Sequence, residues 1–169
     1  MLGVLHTPMP KPPASPTMDA SNDTPFVDTV DAGFLETLVG YSARRASLVV
    51  IAEFMQRMAT FDLRIVDFSV LSLVTHNAGI TSRQLCSTLS IQAPNLVAIV
   101  DKLEKKRKLI VRRPHPLDGR AMGLHLTAKG KTLMVEAEKA VAELEISATG
   151  RLTATERKTL LGLLKKVYQ

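Results

Sequence analysis

Residues 79–131 read GITSRQLCSTLSIQAPNLVAIVDKLEKKRKLIVRRPHPLDGRAMGLHLTAKGK, and this stretch decides the fold. Thr81-Ser82-Arg83-Gln84 has the pattern of a capping box, in which a hydroxyl and an amide three residues apart satisfy each other's backbone N–H groups. It opens a short helix that ends near Leu89, and Ser90-Ile91-Gln92 makes a turn. Pro94 suits the first turn of a second helix, where its missing N–H costs nothing. That helix is predicted to run to about Lys106, with Val97, Val100 and Leu103 as its buried stripe. Residues 109–113 and 121–126 are short strand candidates, and the loop between them holds Pro114, Pro116 and the pair Asp118-Gly119, which marks a hairpin. Two short helices joined by a tight turn, the second rimmed with lysine and followed by a hairpin, make a helix-turn-helix with a wing.

The flanks are helical. Residues 34–60 carry apolar side chains at helical spacing on more than one face, and 66–77 form a second helix stopped by Asn77-Ala78-Gly79. Thr127 begins a long helix to about Thr149, and Thr153-Ala154-Thr155-Glu156 is a second capping box that opens a final helix to Tyr168. Residues 1–30 contain six of the nine prolines and are expected to be a disordered arm. The predicted class is mainly α with a small β-hairpin. It divides into the arm 1–30, a helical segment 31–65, a winged helix-turn-helix lobe 66–127 and C-terminal helices 128–169. The terminal helices present more apolar surface than one small lobe can cover, which points to a partner.

With 169 residues and 46% hydrophobic side chains, the chain can build a real core. One cysteine excludes an internal disulfide framework and any cysteine-based zinc finger. Aromatic residues at 4% and no Trp argue against a base-stacking single-strand binder. No apolar run is long enough to span a membrane, and the N-terminus lacks the basic start of a signal peptide, so a cytoplasmic location is expected. The net charge of +6 is unevenly placed: residues 81–131 hold eleven basic and three acidic side chains, +8, leaving −2 for the rest. A lone charged helix face would read as solvated surface, but here the charge coincides with the helix-turn-helix and implies duplex DNA.

The stretch quoted above resembles the DNA-binding core of the MarR family of transcriptional regulators, above all in IVDKLEKK and DGRAMGLHLTAKG, and the resemblance extends over residues 34–168. It implies a winged helix-turn-helix homodimer, intertwined through its first and last helices, with a ligand pocket between that interface and each DNA-binding lobe. Two departures stand out. The turn after the recognition helix, Lys106-Arg107-Lys108, is one residue longer than the family's and lacks its usual Gly, and Ala98 stands where a longer polar residue is common.

Gln92 and Asn95 lie at the exposed start of the recognition helix, where their amides suit an adenine edge; the plainer reading is that they cap or solvate the helix start. Lys102, Lys105 and Lys106 are expected to face away from the apolar stripe, toward phosphates, and Arg112 and Arg113 to flank the wing. In the family's pattern the wing arginine enters the minor groove; here that is Arg120, oriented by Asp118. On the first long helix, residues 40–47 resemble a subgroup responding to aromatic acids or their coenzyme A thioesters. Tyr41, Arg44 and Arg45, with His76, are the candidate contacts for a small anionic aromatic or acyl-CoA effector, the plainer reading of the arginines being a salt bridge.

No phosphate loop, nucleophile elbow or paired-carboxylate motif supports an enzyme. Cys86 and the four histidines lack metal-ligand spacing, and no cofactor is expected. The expected function is a regulator, read as a repressor, bound to a palindromic operator and released by its effector. The competing readings are a ligand-independent architectural DNA binder or a redox-responsive one acting through Cys86.

Overall fold

The computed structural model describes residues 29–115 and 118–169, and the side chains of 115–120 are outside the description. The expected disordered arm therefore falls almost entirely outside the described residues. The chain runs through a short helix α1 (Gly33–Glu36), a long helix α2 (Val39–Met58), a 3-10 turn (Ala59–Phe61) and α3 (Ile65–His76). Strand β1 (Ile80–Thr81), helices α4 (Ser82–Leu89) and α5 (Ala93–Asp101), and a π-helical turn (Lys102–Lys106) follow. Strands β2 (Ile110–His115) and β3 (Asp118–Leu126) form the wing, and α6 (Ala128–Ala148) and α7 (Ala154–Tyr168) complete the chain.

Local signals decide most of these boundaries. Gln84 N donates to Thr81 Oγ1 at 3.3 Å while Thr81 N donates to Gln84 Oε1 at 2.9 Å, so the first capping box forms and starts α4. The second starts α7 in the same way, with Glu156 N on Thr153 Oγ1 at 3.2 Å and Thr153 N on Glu156 Oε2 at 2.8 Å. Thr127 caps α6 by accepting from Gly130 N at 3.0 Å. Ser90 takes the left-handed conformation, φ 52°, that turns α4 toward α5.

The sheet has the order β1-β3-β2 and is antiparallel throughout. The hairpin was legible in the sequence; β1 was not, because two residues show no periodicity. β1 closes the wing onto the lobe, pairing Ile80 with Leu124 and Thr81 with Gly123. Gly123 permits this contact, since a Cβ there would lie 2.7 Å from the Gly79 carbonyl oxygen.

A single core gathers Phe54 and Met58 of α2, Val70, Leu71 and Val74 of α3, Leu85, Leu96, Val100, Leu103, Leu109, Ile110, Leu124 and, from α6, Met134, Ala137 and Leu144. Phe54 and Phe68 meet edge to face at 5.6 Å between ring centres. One expectation is corrected. Leu96, not Val97, joins Val100 and Leu103 in the buried stripe, and Val97 is 54% exposed. The Leu96–Val100–Leu103 spacing of four and three follows the helix period and leaves Val97 about one residue, some 100°, out of phase.

The extra residue after the recognition helix has a structural answer. The helix widens into a π turn in which Arg107 N donates to Lys102 O at 3.0 Å, and Lys108 takes a left-handed conformation, φ 55°, where a Gly would be usual. Leu103 and Leu109 are both fully buried as a result.

The chain's two ends differ from its middle. Among the 20 residues of α2 only Phe54 and Met58 are buried, and α7 buries none of its 15. Phe34, Val39, Val49, Ile146, Leu161, Leu163 and Val167 are all more than half exposed. No helix among the described residues is long and apolar enough to cross a membrane.

Gly130 gives the clearest packing test. A Cβ there would meet the Leu109 carbonyl oxygen at 2.1 Å, a backbone atom fixed by the start of the wing. Gly130→Ala is expected to destabilise the fold by about 3 kcal/mol or more, read as a lowered Tm in thermal unfolding.

Candidate nucleic-acid interface

The second helix of the helix-turn-helix is held from below by one buried carboxylate. Asp67, in the first turn of α3, is 1% exposed. It accepts from Arg64 N at 3.2 Å, which closes the start of α3, and from Lys102 Nζ at 2.8 Å. A buried carboxylate needs a counter-charge, and Lys102 supplies it. Lys102 therefore turns inward, not outward to phosphate as its place in a lysine-rich run suggested.

Arg112 is likewise drawn into the lobe. Its guanidinium donates to Asp101 Oδ1 at 2.8 Å and to Glu104 Oε2, and its backbone N–H donates to Glu104 Oε1 at 3.1 Å. Arg112 thus ties strand β2 to the end of the recognition helix, and its side chain is only 30% exposed. Lys105 reaches back to the other Asp101 oxygen at 2.8 Å. The hydrogen bond from Lys105, then that from Arg112, holds the Asp101 carboxyl below its usual range. These bonds persist above the ordinary carboxylate pKa and are lost as pH falls through the lowered one.

Arg107 makes a third tie. Its guanidinium donates to Phe61 O at 2.8 Å and to Asp62 O, linking the π turn to the connection between α2 and α3. Sequence reasoning did not single out Asp67, Asp101, Glu104 or Arg107 as site-building residues. Their partners lie 45 and 46 residues away for Arg107 and 35 for Asp67, beyond any local pattern.

The outward face is what remains. Gln92 is the N-cap residue of α5, but its side chain makes no capping bond, so its amide is free and exposed. Asn95 is exposed in the first turn. Lys105 and Lys106 are exposed past the end of α5, and Arg113 is exposed on β2. Asp118 and Arg120 lie on β3, but their side chains are outside the described residues. Cys86 is a half-buried free thiol packed against the core.

Beneath the wing lies a cavity of about 430 Å³ between α3, the base of the hairpin and α6. Val74, Ala78, Met134 and Val135 give it apolar walls, and Arg113, His125 and Lys131 bring cationic or ionisable nitrogen to it, with Glu138 opposite in charge. His125 and Lys131 were not legible as partners, since each stands in a different element and neither shows a motif. The residues proposed from sequence for a ligand are placed elsewhere in the protomer. Arg44 and Arg45 are exposed on α2, Arg45 beside a shallow groove with Leu48 and Val49, and Tyr41 is half-buried. His76 pairs with Glu138, Nε2 to Oε1 at 3.0 Å, and Glu138 also accepts from Ser72 Oγ at 2.9 Å.

Comparison with known proteins agrees with this geometry. The sequence profile of the MarR family matches residues 61–121. The chain is 30% identical, over 78% of its length and 79% of the relative's, to a Thauera aromatica protein described as a transcriptional regulator for the hcr operon. The transcriptional repressor CouR, solved on a 23-mer DNA duplex, superposes with a TM-score of 0.77 at 36% identity, covering 83% of this chain and 99% of that one. CouR has also been solved with p-coumaroyl-CoA. BpsR of Bordetella bronchiseptica, whose DNA binding is regulated by 6-hydroxynicotinic acid, superposes at 0.71 with 26% identity over 78% of this chain and 94% of its own. The wing, the two-helix reading unit and the identity across nearly the whole length of these regulators lead to one assignment: the chain belongs to the MarR family of DNA-binding transcriptional regulators and is not an enzyme.

Proposed function

We propose that the protein is a repressor that binds a palindromic operator as a homodimer and is released by a small anionic aromatic or acyl-CoA ligand. The observation that carries this reading is the division of charge in the lobe. Lys102, Arg107 and Arg112 are consumed by internal partners, while Lys105, Lys106 and Arg113 stay exposed around α5 and the wing. A surface with exposed amides at its centre and exposed cations at its rim, Lys105 among them though it also holds Asp101, suits base edges flanked by phosphates. The unburied α7 and the apolar face of α2 supply what a two-fold partner would cover, and a two-fold protein calls for a two-fold site.

The domain division follows from the same reading: residues 31–65 and 128–169 serve the dimer, and 66–127 serve DNA. Gln92 and Asn95 address base edges, Lys105, Lys106 and Arg113 phosphates, and Arg120 the minor groove with Asp118 beside it. Lys102 and Arg112 act on the same interface indirectly, by holding the recognition helix and the wing in place.

Binding of a duplex selected from a random library, followed by fluorescence anisotropy, tests the reading. Affinity is expected to fall steeply with salt; a flat response would remove the phosphate contacts. Arg120→Ala is expected to weaken binding more than tenfold while sedimentation still shows a dimer.

The lysines should separate. Lys106→Ala is expected to lower the salt slope by about one with the Tm unchanged. Lys102→Ala strands the Asp67 charge and is expected to cost about 3 kcal/mol of stability, seen first as a lower Tm.

For the effector, the cavity under the wing suits an aryl acid: apolar walls for a ring, and Arg113, His125 and Lys131 for an anionic group. The 6-hydroxynicotinic acid that regulates BpsR is an aryl acid, and the p-coumaroyl-CoA solved with CouR is an aromatic acyl thioester whose negative charge lies on the CoA phosphates. Arg44, Arg45 and Tyr41 stand on α2 away from this cavity and are proposed as a further anion contact for a longer ligand such as an acyl-CoA, with His76 acting through Glu138 at the cavity's edge. Arg113 belongs to both surfaces, so a bound anion competes with phosphate for the same guanidinium. Calorimetric titration with 6-hydroxynicotinate, other aryl acids and p-coumaroyl-CoA is expected to find a binder. Lys131→Ala and the double variant Arg44→Ala/Arg45→Ala are each expected to weaken it; full binding in either removes that element from the site.

A further inference from the structure

The exposed Val97 carries a prediction about which bases are read. It sits at the middle of α5 with 54% of its surface open, and Ala93, Pro94, Asn95 and Ala98 around it are exposed as well. Helical spacing puts Pro94, Val97, Ala98 and Asp101 on one outward strip. That strip contains no cation: from Ala93 to Asp101 the helix has no Lys, Arg or His. Asp101 is the one charged group on it, and both its oxygens are engaged, by Lys105 at 2.8 Å and Arg112 at 2.8 Å. The polar groups left for base edges are the amides of Gln92 and Asn95.

Each base pair presents its own pattern in the major groove. Guanine is read best by a paired donor such as Arg, and cytosine by a free carboxylate. The outward strip of α5 offers neither. An adenine edge matches a side-chain amide, and thymine alone displays a methyl group, the one apolar surface in the groove. An A·T pair shows both features at once.

Resting on the DNA-binding assignment above, we infer that α5 reads A·T pairs and that Val97 is a specificity-determining residue, packed on the 5-methyl group of a thymine. Ala98, next to it, has no side chain long enough to hold the helix away from that methyl. This also accounts for a β-branched apolar residue left open in the middle of the helix, between the amides of Gln92 and Asn95 and the exposed Lys105 and Lys106. The apolar exposures of α2 and α7, by contrast, lie in long helical stripes at the chain's ends.

The test uses the full chain and the duplex it enriches from a random library. Each thymine of one half-site is replaced in turn by deoxyuridine, which removes the methyl and nothing else. At one position the wild-type protein is expected to lose about fourfold in affinity, the worth of one buried methyl group. In Val97→Ala that same replacement is expected to change affinity less than twofold, while replacements elsewhere act as in the wild type. Alanine is compatible with an exposed helix site, so the variant should keep its Tm; should its binding be too weak to measure, Val97→Thr, which keeps one methyl, is expected to show a reduced but nonzero loss. The inference is overturned if no thymine is sensitive to loss of its methyl, or if the loss is as large in Val97→Ala as in the wild type. Failure of the library to enrich any sequence would instead overturn the DNA-binding reading beneath it.

Discussion

Asp67 is a carboxylate closed off from water at the start of α3, and the orientation of the reading helix hangs on it. Its two partners do different things. The Arg64 N–H fixes where α3 begins, and Lys102 brings the far end of the recognition helix down onto that point. An unpaired buried charge costs roughly 3–5 kcal/mol, so the helix cannot roll away from α3 without meeting that penalty. The hydrophobic stripe of Leu96, Val100 and Leu103 sets which face is down, and the ion pair sets how far along the helix it is pinned. Apolar packing alone, being non-directional, would tolerate more sliding than a reading surface can.

The same logic explains how residues 81–131, with a formal charge of +8, can fold compactly. Its cations are not equivalent. Lys102, Arg107 and Arg112 neutralise carboxylates or satisfy carbonyls within the lobe, at distances near 2.8 Å. The interior thereby uses up all the acidic groups on the recognition helix and its π turn, Asp101 and Glu104. No acidic group on α5 or the π turn is left unpaired to repel phosphate. The outward field is consequently stronger than the net charge of the whole chain suggests, since opposite charges have been paired inward and like charges left outward.

Local chemistry was legible in the sequence, and long-range chemistry was not. Both capping boxes, the start of α6 at Thr127 and the turn at Ser90 could be read because each depends on residues within four positions of one another, and the wing hairpin because two prolines and Asp118-Gly119 fall between two apolar runs. The buried stripe of α5 was misread by one position because a helix of nine residues with Leu96, Val97, Ile99 and Val100 fits two adjacent phases almost equally well. Only the packing of α5 against α4 and the π turn decides between them. Lys102 and Arg112 look identical to their neighbours in a basic run. What distinguishes them is a carboxylate supplied by an element 35 residues back, in one case, and the Asp101 and Glu104 carboxylates at the end of the recognition helix in the other. The unusual length of the turn at Lys106-Arg107-Lys108 was visible, but its accommodation by a π turn required knowing that Leu103 and Leu109 must both be buried.

These ties also bear on how a ligand could control the protein. Arg107 fastens the π turn to the α2–α3 connection, Lys102 fastens it to α3, and Arg112 fastens the wing to the end of α5 and the π turn. The reading helix, the wing and α3 therefore share their bonds and move together. A ligand gains little by bending α5 itself, because that would break several charge-assisted hydrogen bonds at once. The cavity between α3, the hairpin base and α6 lies where this fastened body meets the long helix that carries the C-terminal apolar face. In the proposed function, a ligand filling it would act on the angle between body and helix while the internal ties stay intact. In a two-fold assembly such a change appears as an altered separation of two otherwise unchanged reading surfaces, and separation is the quantity that successive major grooves hold fixed.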